Sequence, residues 1–192
     1  MRTAYIGMGA NLPSQAGSPE ATLAAAAARL ESLGRVPARS SLYSTVPVGY
    51  ADQPRFLNAA VTLDTGLTPI ELLGALLLIE QDFGRNRANA VANGPRTLDL
   101  DILLYGDLVI GSSSLVIPHE RLAERAFVLV PLNEIAPAAI DPRSGLTVSQ
   151  LLQSLDPNPG HDVDAVVQVK CDFWRPGAGA GPGPGPVDRA QP

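Results

Sequence analysis

Two aspartates separated by a single residue are the feature of this chain with the clearest chemical potential. Asp99 and Asp101 fall in the apolar segment 97–105, whose composition predicts a β-strand. Because side chains alternate across a strand, both carboxylates are expected on the same face. Neighbouring carboxylates repel each other unless a cation neutralises them, and an all-oxygen ligand set favours Mg²⁺. The core face of the same strand is predicted to carry Leu98, Leu100, Ile102 and Leu104.

The residues that precede this strand are rich in arginine and include no acid. Arg85, Arg87 and Arg96 all lie between Gly84 and the first aspartate. Mg²⁺ in proteins usually takes one or two carboxylates together with substrate phosphates, and guanidinium groups suit a polyphosphate. The two motifs together predict a Mg–nucleotide site. The alternatives are an aspartate pair on the solvated face of a strand and a flexible loop whose arginines pair with surface acids.

Four further side chains are weaker candidates for binding. Phe56 and Asn58 share one face of a predicted strand. An aromatic ring and an amide can together bind a flat heterocycle, although Phe56 could instead belong to the core. His119 follows a proline at a predicted helix start, where a nucleotide contact and a capping or surface role are both open. Glu80 is the only acid in the second half of an apolar helix face, either as a buried acceptor in a site or as a boundary residue.

The composition excludes several other classes of protein. The chain has 192 residues, of which 45% are hydrophobic and 17% charged, as in a single globular domain. A net charge of -5 argues against non-specific nucleic-acid binding. The single cysteine, Cys171, excludes an internal disulfide and a Cys-based zinc site. There is no Gly-Lys-Ser/Thr phosphate loop, and Gly7-Met8-Gly9 lacks the third glycine of a dinucleotide fingerprint.

The order of the predicted elements indicates how the aspartates are positioned. Period-2 and helical patterns, with Ser18 and Thr68 as helix caps, predict an α+β sandwich of ferredoxin-like type, with helices packed on a mainly antiparallel sheet. The predicted strands are 3–9, 39–45, 56–63, 97–105 and 164–170. The predicted helices are 18–34, 68–84, 120–133 and 148–155.

The composition changes once, near the C-terminus. Residues 1–174 are predicted to form the folded domain. Residues 175–192, rich in Gly and Pro with almost nothing to bury, are predicted to be a disordered tail. No apolar run approaches the roughly 20 residues that span a bilayer, and the N-terminus is a poor secretory signal. We therefore expect a cytoplasmic protein with no membrane partner.

Several blocks of the sequence, in order along the chain, resemble the 6-hydroxymethyl-7,8-dihydropterin pyrophosphokinase family of folate biosynthesis. The most specific block is Gly94-Pro95-Arg96-Thr97-Leu98-Asp99-Leu100-Asp101, and the resemblance spans roughly residues 3–155. The other blocks are Gly9-Ala10-Asn11, Tyr43-Ser44-Thr45-Val46-Pro47-Val48-Gly49, Asp52-Gln53-Pro54, Phe56-Leu57-Asn58, Ile79-Glu80, Gly84-Arg85-Asn86-Arg87, Ile117-Pro118-His119 and Arg125-Ala126-Phe127. The resemblance implies an α+β sandwich that transfers pyrophosphate from ATP to the hydroxymethyl group of the pterin and releases AMP.

The resemblance also implies roles for individual residues. Asp99 and Asp101 would hold two Mg²⁺ ions that bridge the phosphates of ATP. Arg85, Arg87 and Arg96 would be catalytic, by neutralising charge on the transferred group. The pterin would be bound by Thr45, Val48, Phe56, Asn58 and Phe127. The nucleotide would be bound by Glu80, Arg85, Arg87, Arg96, His119 and Arg125. The expected partners are these small molecules, with no nucleic acid, and the expected state is a monomer.

One segment departs from the family pattern. Ala92 and Asn93 stand where the family usually has an Arg-Trp pair, and the loop is one residue longer than in close relatives. We expect the segment 85–96 to close over bound ligands through charge more than through stacking. The competing hypothesis is a nucleotide- or pterin-binding module that has lost catalysis, which the intact aspartate pair disfavours. A purely structural partner protein would leave that pair unexplained.

Overall fold

The computed structural model describes residues 1–50, 52–86, 93–155, 165–172, 174–175 and 177. Its strands are β1 (Arg2–Ala10), β2 (Leu42–Thr45), β3 (Phe56–Thr65), β4 (Asp99–Tyr105), β5 (Ile110–Gly111), β6 (Val116–Ile117) and β7 (Val167–Val169). Its helices are α1 (Pro19–Leu30), α2 (Pro69–Asp82), α3 (Ala126–Ile135) and α4 (Val148–Gln153), with a short 3-10 turn at Leu122–Glu124. Every predicted strand and helix is present, although most are shorter than the sequence pattern suggested.

Five of the strands form one sheet in the order β4-β1-β3-β2-β7. All four pairings are antiparallel, and β1 is paired with β3 from Arg2↔Thr65 to Ala10↔Leu57. β5 and β6 pair only with each other. This sheet with its helices confirms the predicted ferredoxin-like α+β sandwich.

The helices cover both faces of the sheet, so the strands are buried on two sides. α1 and α2 form the first layer, and α3 with α4 forms the second. Neighbouring strand residues alternate between the layers, as with Ala59 and Ala60. The first layer buries Ile6, Leu23, Leu30, Leu63 and Leu76. The second buries Ala60, Leu103, Leu129, Leu132 and Val148. None of the helices among the described residues is long and apolar enough to cross a membrane.

A bulge in β4 changes the predicted face of one residue. Tyr5 pairs with Leu104 and Ile6 with Ile102, so Leu103 is an extra residue between two pairs. Leu103 and Leu104 consequently both pack in the second layer. The prediction that Leu104 shares a face with Ile102 was therefore wrong, because alternation restarts after a bulge.

The helix starts form as the local sequence predicts. Thr68 accepts a hydrogen bond from the backbone N–H of Glu71, whose side chain in turn accepts from the N–H of Thr68. Ser18 caps α1 in the simpler way, by accepting from the N–H of Ala21. These caps satisfy backbone donors that no helical carbonyl can reach.

Trp174 fixes the end of the folded part. Its side chain is 4% exposed and packs in the first layer, and its Nε1 donates to the carbonyl of Ser40 at 2.6 Å. β7 lies just before it at the edge of the sheet. Residues 178–192 of the predicted tail lie outside the described residues, so the domain boundary at residue 174 stays a prediction.

We expect truncation after Trp174 to leave the melting temperature within a degree or two of the full chain. Trp174→Ala in the full chain should lower it by about 10 °C, since truncating a buried tryptophan costs about 3–5 kcal/mol. Thermal unfolding followed by circular dichroism measures both. A truncated chain that melts as low as the alanine variant would show that the tail contributes to the fold.

Candidate active site

The residues that lie opposite the aspartate pair on β1 are glycines. Asp99 is paired with Gly9 and Asp101 with Gly7 on β1, and residues opposite each other point to the same side of a sheet. A Cβ on Gly9 would come within 3.2 Å of Asn58 Oδ1. A Cβ on Gly7 would come within 3.1 Å of the Leu103 side chain, so the two glycines leave room beside the carboxylates for Asn58 and Leu103. The spacing of Gly7 and Gly9 is thus explained by their pairing with Asp101 and Asp99, and not by a dinucleotide-binding motif.

A network of charged side chains connects α2 to β4. Glu80 is 1% exposed, and its Oε1 accepts from Arg85 Nη1 at 3.1 Å and from the backbone N–H of Leu100 at 2.9 Å. Arg85 also donates to Asp99 Oδ1, while Arg96 Nη1 lies 2.5 Å from Asp99 Oδ2. Asp99 is therefore held between two guanidinium groups. Arg85 and Arg96 thus pair with an acid of the site itself, whereas the alternative hypothesis expected pairing with surface acids.

Asp101 sits in a different electrostatic environment from its neighbour. Burial, together with the negative charges of Asp99 and Glu80, raises the pKa of Asp101 to about 7. The positive charges of Arg125 and Arg85 act against this rise. The carboxyl group is thus costly to ionise until a further cation reaches it, which is the behaviour expected of a metal-binding carboxylate.

An open pocket lies over the carboxylates, between β1, β3 and the start of α3. It is lined by both aspartates, by Arg96 and Arg125, and by the whole predicted pterin set, Thr45, Val48, Phe56, Asn58 and Phe127. The polar pair of this set is buried, and Asn58 Nδ2 donates to Thr45 Oγ1 at 2.8 Å. The structure therefore brings these sequence candidates to one cavity.

Each of the two phenylalanine rings is covered by an arginine of the pocket. The Cζ atom of Arg96 lies 5.2 Å from the ring centroid of Phe56, and that of Arg125 lies 5.4 Å from the centroid of Phe127. Both distances suit a cation–π interaction. The arginines thus join the aromatic part of the pocket to its carboxylate part.

Three predicted residues of the described part of the chain do not line this pocket. These are Glu80, Arg85 and His119, and the first two act through Asp99. His119 Nδ1 accepts from the backbone N–H of Arg121 at 3.1 Å, and burial with the nearby Arg125 charge lowers its pKa. The ring is therefore neutral near pH 7, with its proton on Nε2 as a donor. Arg87 lies outside the described residues.

The sequence analysis missed two charged residues of the pocket wall. Arg121 and Glu124 both line the cavity and form an ion pair of 3.1 Å. Arg121 precedes the 3-10 turn and Arg125 is extended before α3, so no helical spacing in the sequence indicated that both would line the cavity. The small glycine pair of β1 was missed for another reason, because the pairing of distant strands decides what lies opposite the aspartates.

Buried amides hold together three segments that border the pocket. The Asn11 side chain, 3% exposed, accepts from the N–H of Arg96 and donates to Gln53 Oε1 and Pro54 O, at 2.7, 3.0 and 3.0 Å. Gln53 Nε2 donates to the carbonyl of Asn93 at 2.8 Å. These bonds anchor residues 93–96, which are the C-terminal end of the segment 85–96. The expected closure of the segment 85–96 over bound ligands stays a prediction.

The fold and site together define a class: a small α+β protein whose sheet presents two carboxylates, flanked by arginines and aromatic rings, to an open pocket. The family model described as 7,8-dihydro-6-hydroxymethylpterin-pyrophosphokinase (HPPK) matches residues 5–137. The chain belongs to this family.

Curated relatives and solved structures agree with the assignment. A 2-amino-4-hydroxy-6-hydroxymethyldihydropteridine pyrophosphokinase of Methylorubrum extorquens is 46% identical over 160 residues, covering 82% of this chain and 96% of that protein. One of the same name from Bacillus subtilis is 47% identical, covering 69% of this chain and 77% of that protein. The crystal structure of Plasmodium falciparum HPPK-DHPS superposes with a TM-score of 0.60 at 16% identity, over 78% of this chain and 44% of that one. The structural likeness supports the fold.

The raised pKa of Asp101 makes the stability of the metal-free protein depend on pH. The unfolded chain releases this proton near pH 4 and the folded protein near pH 7, so stability should fall as pH rises between these values. Asp101→Asn removes the ionisation. With a chelator present, the melting temperature of the variant relative to the wild type should therefore be higher at pH 8 than at pH 5. An equal difference at both pH values would contradict the assigned environment.

Gln53→Ala should loosen the pocket rim locally. The substitution removes the hydrogen bonds of Gln53 to the Asn11 amide, which keeps its bond to Pro54 O, and to the carbonyl of Asn93, at a cost of about 1–3 kcal/mol. We expect hydrogen exchange to accelerate in the segments 46–55 and 93–96 and to stay unchanged in α1. Gln15→Ala is the matched control, because that amide bonds the carbonyl of Asp82 away from the pocket. Equal exchange in the two variants would mean that the amides do not hold the rim.

Proposed function

We propose that this chain is a pyrophosphokinase that transfers the β,γ-pyrophosphoryl group of ATP to the hydroxymethyl oxygen of 6-hydroxymethyl-7,8-dihydropterin. The products are AMP and the pterin diphosphate, an intermediate of folate biosynthesis. The observation that carries the proposal is the aspartate pair on an open sheet face, at the junction of an arginine-rich and an aromatic wall. Such a transfer needs charge neutralisation and accurate positioning more than covalent help from the protein.

Asp99 and Asp101 are the residues that would hold magnesium. Within the described residues there is no cluster of three or more His, Cys, Asp or Glu side chains that could enclose a metal alone. That fits Mg²⁺, which usually binds through one or two carboxylates and completes its shell with phosphate and water. The raised pKa of Asp101 fits a group that ionises when a cation arrives. Two bound Mg²⁺ ions would neutralise phosphate charge and polarise the oxygens that react.

Arg85 and Arg96 would change partners when the nucleotide binds. Both guanidinium groups now neutralise Asp99. A triphosphate with its metal offers the arginines a stronger anion and offers Asp99 a cation, so both exchanges favour the complex. Arg87 is proposed as a third catalytic arginine from the sequence resemblance alone. Glu80 would keep Arg85 in place, since its carboxylate bonds both that arginine and β4.

The pterin would occupy the aromatic side of the pocket. Phe56 and Phe127 would hold the two faces of the ring, and Asn58 with Thr45 would meet its polar edge, while Val48 closes the rim. Arg96 and Arg125 lie against these rings, so the hydroxymethyl group would point from the aromatic wall towards the phosphates. This arrangement brings the acceptor oxygen to the carboxylate side of the pocket.

On the nucleotide side, Arg125 and His119 would add fixed donors. The neutral His119 ring offers its Nε2–H to a phosphate or ribose oxygen. Arg125 lies close enough to Asp101 to influence its pKa, so it would face the same phosphates as the metal. The proposed ligands of this site are small molecules, and the monomeric state and cytoplasmic location expected from the sequence are proposed with it.

The test is the release of AMP from ATP and Mg²⁺ with and without the hydroxymethylpterin. We expect pterin-dependent release by the wild type and a loss of at least about 100-fold in Asp99→Asn and Asp101→Asn, because each loses a metal ligand. Asp107→Asn is the matched control, since that exposed aspartate follows β4 and pairs with Arg2.

Different results would separate the alternatives. Binding of both substrates by the wild type with no AMP release would identify a binding module that has lost catalysis. Near-normal turnover by either asparagine variant would show that the metal assignment is wrong. A loss in the Asp107→Asn control would mean that general charge or folding effects dominate.

A further inference from the structure

Arg121 is a pocket residue that carries a charge with only a weak partner. Its Nε lies 3.1 Å from Glu124 Oε2, and the two side chains are 43% and 54% exposed. This is the only hydrogen bond or ion pair of the Arg121 side chain among the described residues. Solvent-exposed ion pairs of this kind contribute little to stability, so the pair can open at low cost. The two terminal nitrogens of the guanidinium remain available on the pocket side.

Arg121 shares the pocket wall with a second arginine. Its charge is one of the causes that lower the pKa of Arg125, after burial, and it also acts on His119 in the same direction. Arg121 and Arg125 therefore lie near each other on the wall of the same cavity. Besides Glu124, the acids that line this cavity are Asp99 and Asp101, and both would bind the metal. With their charges taken up by the metal, these carboxylates would no longer balance the arginines. A polyphosphate would then supply several negative oxygens to more than one guanidinium group.

We propose that Arg121 binds the phosphates of the nucleotide substrate, and that Glu124 holds its side chain until the nucleotide displaces it. This inference rests on the proposed function, because it takes the nucleotide triphosphate as the ligand of the pocket. It adds a phosphate-binding residue to the site, and it implies that Glu124 weakens nucleotide binding. Glu124 competes with the substrate for one guanidinium, so removing its charge should strengthen nucleotide binding.

The experiment is calorimetric titration with α,β-methylene-ATP and Mg²⁺, an analogue in which the bond to be broken is replaced. Arg121→Ala should weaken binding about tenfold or more, the value of a charge-assisted hydrogen bond, and Arg121→Lys should recover part of the loss. Glu124→Gln should tighten binding about two- to threefold. Binding of the pterin alone should be unchanged in all three variants.

Arg29→Ala is the matched control. Arg29 forms an ion pair of 3.0 Å with Asp82 at similar exposure, 55% and 57%, and the substitution removes the same charge from a surface away from the pocket. The inference is overturned if Arg121→Ala binds the analogue as Arg29→Ala does, or if it weakens pterin binding instead. Melting temperatures of all variants check that the fold is kept. If the wild type neither binds the analogue nor releases AMP, the proposed function is overturned. If the wild type binds the analogue and releases AMP, the variants test the role of Arg121 alone.

Discussion

The confinement of two carboxylates to one face of a buried strand is the constraint on which the rest of the site depends. Alternation along β4 places Asp99 and Asp101 on the same side, and burial adds to the cost of charging Asp101 beside its neighbour. The raised pKa of Asp101 reflects that cost. The protein offsets it with guanidinium groups, two of which, from Arg85 and Arg96, bind Asp99.

The arrangement of these ion pairs connects stability to the proposed chemistry. Glu80 is almost fully buried, and such an acid is tolerated only because Arg85 and the N–H of Leu100 both bond it. It thereby fixes the end of α2 against the strand that carries the aspartates. Arg85 and Arg96 are already held beside Asp99, so on the proposed function nucleotide binding would exchange one set of ion pairs for another.

Local patterns were enough to predict much of the fold and the core of the site. Alternation predicted the strand that carries Asp99 and Asp101, and the caps at Ser18 and Thr68 predicted where α1 and α2 begin. These features depend on neighbours within a few residues, which the sequence shows directly. The five residues expected to bind the pterin also line one cavity, and that grouping came from the resemblance to a family, except for Phe56 and Asn58, which strand alternation had already placed on one face.

The sequence by itself determined the types of the site residues and the strand face that the aspartates share. Only the tertiary structure decided what lies around them. The pairing of β1 with β4 placed Gly7 and Gly9 beside the carboxylates, and the bulge at Leu103 moved Leu104 to the other layer. The 3-10 turn before α3 brought Arg121 and Glu124 to the pocket. These outcomes depend on register and on contacts between residues about a hundred positions apart, and no pattern within one segment specifies them.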